Sequence, residues 1–231
     1  MAEGPKLVGE LLAAGFEFVY VAVNESVFAS FQALHTSCKA QVDIVTDEEL
    51  KRVSTVDTPQ GILAVVRQPQ YSIDVQKVVQ EGLCLALDDV QNPGNLGTIV
   101  RLADWFGVND VFCSLSCADL YNPKTVQATM GAFAHVRVHY LDLVDLLKRV
   151  HGMTPVYGTF LDGENIYGKR LASKGLIVMG NEGRGISEAV AELVTDRLLI
   201  PSFAAEGCHV ESLNVAIATA VVCAEFRRQT S

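Results

Sequence analysis

The sequence has no CxxC pair, no signal-peptide pattern, no apolar run of membrane-spanning length and no surplus of basic residues. Cys113 and Cys117 are four apart, but no histidine lies near enough in sequence to suggest a zinc site. The six cysteines, Cys38, Cys84, Cys113, Cys117, Cys208 and Cys223, are scattered and mostly set in apolar runs. That pattern fits reduced, buried thiols better than a disulfide framework. Cys208-His209 is an adjacent pair, read as a loop beside a helix start, and no metal is expected there. The segment Met1–Lys6 lacks the basic and apolar regions of a secretory leader. No stretch is long enough to cross a bilayer. A soluble cytoplasmic protein without membrane contact is the expectation. The net charge is −9. Residues 1–70 carry 5 Lys and Arg against 9 Asp and Glu, and the remainder 13 against 18. This argues against a generic electrostatic nucleic-acid binder, which would present a basic face. A local basic patch remains compatible with it.

What is present is core-forming material. The hydrophobic fraction is 49% and the mean hydropathy +0.26, in a chain of 231 residues that can hold one large domain or two modest ones. Residues 1–68 alternate helix-like and strand-like segments. Lys6–Ala14 has leucine and valine at helical spacing, Phe18–Val23 is a short strand, and Ser26–Leu34 is helical. Val42–Val45 and Gly61–Arg67 are strands. Between them Thr46-Asp47-Glu48-Glu49 opens a helix with a capping residue and an acidic first turn. A polar stretch over 69–82 is expected to be the linker. Residues 83–231 alternate again, with apolar strands at Leu83–Leu87, Asp110–Ser114, His135–His139, Pro155–Phe160, Leu176–Met179 and Arg197–Ile200. Helices are expected at Asn95–Phe106, Lys124–Thr129, Leu143–Val150, Ile186–Leu193 and from Ser212 onward. Such alternation implies a doubly wound α/β fold with a parallel sheet covered on both faces, and ligands at the loops beyond the strand C-termini.

Three of those loops carry chemistry. In Asn92-Pro93-Gly94-Asn95-Leu96-Gly97-Thr98-Ile99-Val100-Arg101, the first residues form a turn and Asn95 is suited to be the N-cap. Leu96, Ile99, Val100, Ala103 and Phe106 share one face, with Arg101 opposite and one turn beyond Gly97. That glycine is expected to leave open space where a phosphate or ribose approaches the guanidinium. Spacing alone favours an ordinary capped helix with a solvated arginine. The second loop is Gly180-Asn181-Glu182-Gly183-Arg184-Gly185. Free N–H groups in such a turn can hold polar ligand groups. It has neither the Gly-Lys-Ser/Thr of a phosphate loop nor the dinucleotide fingerprint. The third runs from Ile200-Pro201 to Glu211-Ser212-Leu213-Asn214-Val215, with Ser212 as the expected N-cap of an almost wholly apolar helix that must be buried in the protein or in a subunit interface.

Asn-Pro-x-Asn-x-Gly-x-x-x-Arg, Gly-x-Glu-Gly-x-Gly, and Ile-Pro followed by Glu-Ser-Leu-Asn-Val resemble the three signatures of the SpoU (TrmH-like) RNA 2′-O-ribose methyltransferases of the SPOUT superfamily. They occur in order, over about residues 83–228. Residues 1–68 resemble the small ribosomal-protein-L30e-like α/β substrate-binding domain of that family. The resemblance implies a C-terminal trefoil knot, a homodimer, S-adenosylmethionine as methyl donor, and rRNA or tRNA as substrate. It assigns donor contacts to Gly180, Gly183, Ile200 and Leu213. Arg101 would be catalytic, Asn95 would position it and the substrate, and Glu182, Ser212 and Asn214 would complete the pocket. Ser202–Val210 is longer than the usual connection. Relatives have an earlier basic helix and strand before the position of Met1, so a shortened RNA-recognition end is expected.

Two other readings are compatible with the residues. One is a non-catalytic RNA-binding module that keeps the fold; the completeness of Asn95, Arg101, Glu182, Ser212 and Asn214 argues against it. The other is a different nucleotide-binding α/β enzyme, disfavoured by the missing phosphate-binding fingerprints.

Overall fold

A computed structural model describes residues 1–34, 39–204 and 212–230. The Cys208-His209 pair and most of the 202–210 loop lie outside the described residues. The chain divides into two compact units, residues 1–71 and 72–231.

In the first unit β2 (Phe18–Val23) pairs parallel with β3 (Gln41–Ile44) and antiparallel with β4 (Ile62–Val66). A two-residue β1 (Ala2–Glu3), with no sequence signal of its own, pairs antiparallel with β4. Helices α1 (Pro5–Ala13), α2 (Glu25–Leu34) and α3 (Asp47–Val53) connect the strands. The α3 start is a full capping box: the Glu49 N–H donates to Thr46 Oγ1 at 3.2 Å, and the Thr46 N–H donates to Glu49 Oε2 at 2.8 Å. Leu50 on this helix is buried against Ala22 and Leu63.

The second unit is a six-stranded sheet in the order β10 (Asp196–Leu199), β8 (Val156–Asn165), β9 (Gly175–Met179), β5 (Leu83–Leu87), β6 (Asp110–Cys113), β7 (Arg137–Tyr140), and every neighbouring pair is parallel. β5 and β9 form its centre and are buried along their whole length, which is why they read as uninterrupted apolar runs. Alternation then assigns the two faces. Cys84, Ala86, Phe112, Leu176 and Val178 pack with α4 (Val75–Glu81), α7 (Leu143–Val150) and α8 (Glu188–Ala191). α5 (Pro93–Trp105) packs against α6 (Pro123–Thr129) and α9 (Val215–Thr230).

Several expectations are corrected here. The stretch 69–82 is not all linker. Val75 and Val79, one turn apart, are buried in the core of the second unit, and Asp74 caps α4. β8 continues to Asn165 because it wraps past β10, with a register shift between Arg197 and Leu198. The expected helix 186–193 contracts to Glu188–Ala191.

Gly97 does not leave open space. A Cβ there would lie 2.5 Å from Ala128 Cβ and 2.7 Å from the Thr125 carbonyl oxygen. The glycine lets α5 and α6 approach closely. α5 is also closed from a distance: Arg227 of α9 donates from Nε to the Phe106 carbonyl at 2.7 Å and from Nη2 to Gly107 at 3.0 Å. The cation thus meets the unsatisfied carbonyls at the helix C-terminus. At the same, N-terminal end of the strands Asp110 is buried. Arg137 holds it at 2.8 and 2.6 Å and His139 at 2.9 Å, so the buried charge is paired.

Candidate active site

The three loops singled out in the sequence leave the C-terminal ends of β5, β9 and β10. They meet through side chains. Asn95 Nδ2 donates to Glu182 Oε1 at 2.6 Å, and Asn214 Nδ2 donates to Asn95 Oδ1 at 3.0 Å. Asn95 is therefore the centre of a relay whose outer members come from the second and third loops. A carboxylate acceptor strengthens the first bond.

Local capping explains why these side chains are available. Asn92, not Asn95, is the N-cap of α5. Its Oδ1 accepts the N–H groups of Gly94 at 2.8 Å and Asn95 at 3.2 Å, with Pro93 at the first helical position. The Asn95 side chain is released to face the other loops. Asn214, not Ser212, caps α9: its Oδ1 accepts from Ala216 at 2.9 Å and Ile217 at 3.3 Å while its amide reaches Asn95. Capping and the relay thus use opposite ends of one amide. Ser212 and Leu213 precede this cap and are exposed.

Arg101 lies on the exposed side of α5, two turns along from Asn95, and no hydrogen bond or ion pair to it is found among the described residues. Its guanidinium is therefore exposed, on the same helix that carries Asn95. Of the predicted site residues the structure brings Asn95, Glu182 and Asn214 into direct contact. Gly180, Gly183 and Ile200 are in the loops at the strand ends, and Leu213 is adjacent to the relay.

The glycine-rich loop closes on itself. Asn181 and Gly185 exchange both main-chain bonds at 2.9 Å, and a Cβ on Gly180 would collide with the backbone of Gly185 and Ile186. Asn181 Oδ1 accepts from the N–H of Gly183 at 2.9 Å and of Arg184 at 3.1 Å. The amides at 183, 184 and 185 are thus committed inward, which corrects the expectation that they are free for a ligand.

Residues with no motif signal support this loop. Asp88 Oδ2 accepts the Ser187 N–H at 2.7 Å. Asp89 accepts from both sides of the turn, from Asn181 and from Arg184. Burial opposes the charge on Asp89, but hydrogen bonds from Ser116, Gln91 and Arg184 outweigh it and hold the carboxyl below its usual range. Nearby, Cys117 Sγ donates to the Leu87 carbonyl at 3.2 Å and accepts from the Val90 N–H at 3.3 Å. Contact with Cys113 and hydrogen bonds from Ser114 and Val90 bring its thiol down to about 7 against the effect of burial. These contacts span up to 99 positions of sequence, and no local pattern announces them.

Residues 82–224 match the model of the SpoU rRNA Methylase family, and residues 1–64 that of the MRM3-like substrate binding domain. The chain belongs to the SpoU family. It is 34% identical to the 23S rRNA (guanosine(2553)-2′-O)-methyltransferase RlmP of Bacillus subtilis, over 81% of this chain and 73% of that protein. Among solved structures, a TrmH-family protein from Porphyromonas gingivalis is 43% identical, with a TM-score of 0.84 over 99% of this chain and 89% of its own. An AdoMet-bound rRNA methyltransferase from Sinorhizobium meliloti is 27% identical, with a TM-score of 0.87 over 100% of this chain and 87% of its own. The SpoU motifs of this chain are those whose side chains converge at Asn95.

Proposed function

We propose that the Asn95 relay and Arg101 serve transfer of a methyl group from S-adenosylmethionine to a ribose 2′-hydroxyl of rRNA or tRNA. The observation that carries this is the convergence of Asn95, Glu182 and Asn214, one from each SpoU signature, on the helix that also carries the exposed Arg101. When bound, the donor supplies an electrophilic methyl group on a sulfonium. The residues present fit it. The main chain at Gly180, Gly183 and Ile200 supplies polar groups at the sheet's C-terminal edge, and Leu213 supplies exposed apolar surface next to them. Because the Gly183 N–H is committed to Asn181, contact there runs through its carbonyl or Cα.

A 2′-hydroxyl must lose its proton as its oxygen attacks carbon. Arginine is a poor base, since its pKa exceeds ~12. Arg101 instead stabilises negative charge growing on the ribose oxygen, and solvent water takes the proton. Asn95, held by Glu182 and Asn214, orients the ribose toward it. Ser212 lines the entrance.

A homodimer belongs to the same reading. α9 leaves Ile217, half-buried Val221 and Ala224 on an open stripe, with Ile217 54% exposed, and a second copy would cover it. The C-terminal trefoil knot is also part of this reading, supported by the return of α9 to α5. Among the described residues no helix is long and apolar enough to cross a membrane, and no cluster suited to a metal is found. We place the protein in the cytoplasm with RNA as its partner, and residues 1–68 as its RNA-binding domain. The test is incubation with labelled S-adenosylmethionine and separate rRNA and tRNA pools, followed by mapping of the modified position. Base methylation, or no transfer to any pool, would overturn the assignment.

A further inference from the structure

Asp89 has no role in the chemistry above, yet three loops meet on it. It has a left-handed backbone, with φ of 60°. Residues other than glycine rarely adopt this conformation, and it persists where surroundings over-determine it. Its N–H donates to Ser114 Oγ at 2.9 Å, tying it to the loop after β6. Its Oδ1 accepts from Gln91 at 2.9 Å within its own loop. Its carbonyl and Oδ2 accept from Asn181 Nδ2 at 2.8 and 3.2 Å, and Oδ2 also meets Arg184. Asn181 and Arg184 flank Glu182 and Gly183 in the glycine-rich loop.

We infer that Asp89 is a positioning residue that sets the 180–185 turn, and through it keeps Glu182 in register with Asn95. The path is short and continuous. Asp89 orients the Asn181 amide. The Asn181 side-chain oxygen, Oδ1, then gathers the N–H groups of Gly183 and Arg184, and the bend so made projects Glu182 toward α5. A carboxylate suits this place because it accepts from Gln91, Asn181 and Arg184 together. A residue serving only to turn the chain would be best replaced by glycine, which adopts this φ without strain. The two roles therefore separate in Asp89→Gly.

This inference rests on the methyltransferase reading for its catalytic consequence, but not for its structural one. In Asp89→Gly, amide exchange at 182–185 should quicken at least tenfold in the full chain, while β5 and β9 stay protected. Methyl transfer should show kcat at least tenfold lower with the KM for RNA within twofold of wild type, and Tm unchanged or higher. Asp89→Asn keeps an acceptor oxygen and a side chain tolerant of positive φ. It should fall between wild type and Asp89→Gly in both readouts, and it decides the matter alone if the glycine variant does not fold. Unchanged exchange in Asp89→Gly overturns the inference, as does unchanged kcat, or Asp89→Asn as impaired as Asp89→Gly. A wild-type protein inert toward all RNA pools overturns the functional reading instead, and the exchange comparison then decides the positioning role.

Discussion

Asn95 and Glu182 are joined by a 2.6 Å hydrogen bond across 87 positions of sequence, and the donor is a side chain that the helix it stands on does not need for capping. The bond couples the loop after β5 to the loop after β9. Residues in one hydrogen-bond network do not contribute independently. Asn95→Ala and Glu182→Ala should each lower kcat about tenfold or more, and the double variant should be far less than additive. Double-mutant kinetics would show a coupling of about 1–2 kcal/mol. Full additivity would mean that the pair does not act as a unit.

Arg101 is exposed and unpaired among the described residues, so its loss should not disturb the fold. Arg101→Ala should keep donor affinity within about threefold by calorimetry while transfer falls about 10²–10³-fold, the range for removing one stabiliser of developing negative charge. Loss of donor binding would assign Arg101 to the cofactor pocket.

Gly97→Ala tests the α5–α6 contact. The added carbon has no room between Ala128 and Thr125. Overpacking of this kind costs about 1–3 kcal/mol, read as a lower denaturation midpoint. An unchanged midpoint would mean that α6 moves aside freely.

Glu225 is a pH sensor of stability. Hydrogen bonds from Arg228, and then from Gln229, bring its carboxyl down to about 2 against the effect of burial. A carboxyl depressed in the folded state adds stability that is complete above its unfolded value of about 4.3. That stability is lost as the pH falls from there toward about 2. Glu225→Gln should be less stable at pH 6, and the gap should close by pH 2–3. Melting curves at pH 6, 4 and 2.5 would show it; a constant gap would refute the linkage.

The four described thiols should differ in reactivity. Cys117 is brought to about 7, whereas burial pushes Cys84 and Cys223 up to about 12, and contact with Cys117, then burial, raises Cys113 well above its usual value. Thiolate is the reactive form. Brief alkylation at pH 7.5 followed by peptide mapping should label Cys117 ahead of the other three. Faster labelling of Cys84 would contradict the packing described.

The strands of the sheet centre were legible because burial on both faces leaves only one kind of residue at each position of Leu83–Leu87 and Leu176–Met179. The far half of β8 was not: Leu161–Asn165 is mostly exposed and reads as a loop, and only its pairing with β10 makes it a strand. α4 was hidden because two buried valines in a polar stretch are too weak a period to notice. At the site, residue types were legible and their uses were not. Asn95 and Ser212 sat where caps belong, but Asn92 and Asn214 hold those positions. Asp89 and Asn181 carry no periodic signal at all, since their partners lie 92 residues apart in the chain.

The bonds from Arg227 to Phe106 and Gly107 also bear on synthesis. The helix that carries Asn95 and Arg101 is made early, but the group that closes its last turn emerges only after every strand of the sheet. Asn214, the third member of the relay, is equally late. A chain still on the ribosome therefore holds Arg101 on a helix whose last carbonyls await Arg227, and lacks the third member of the relay. If the relay serves transfer as proposed, competence waits for α9, and a half-made protein does not yet have it.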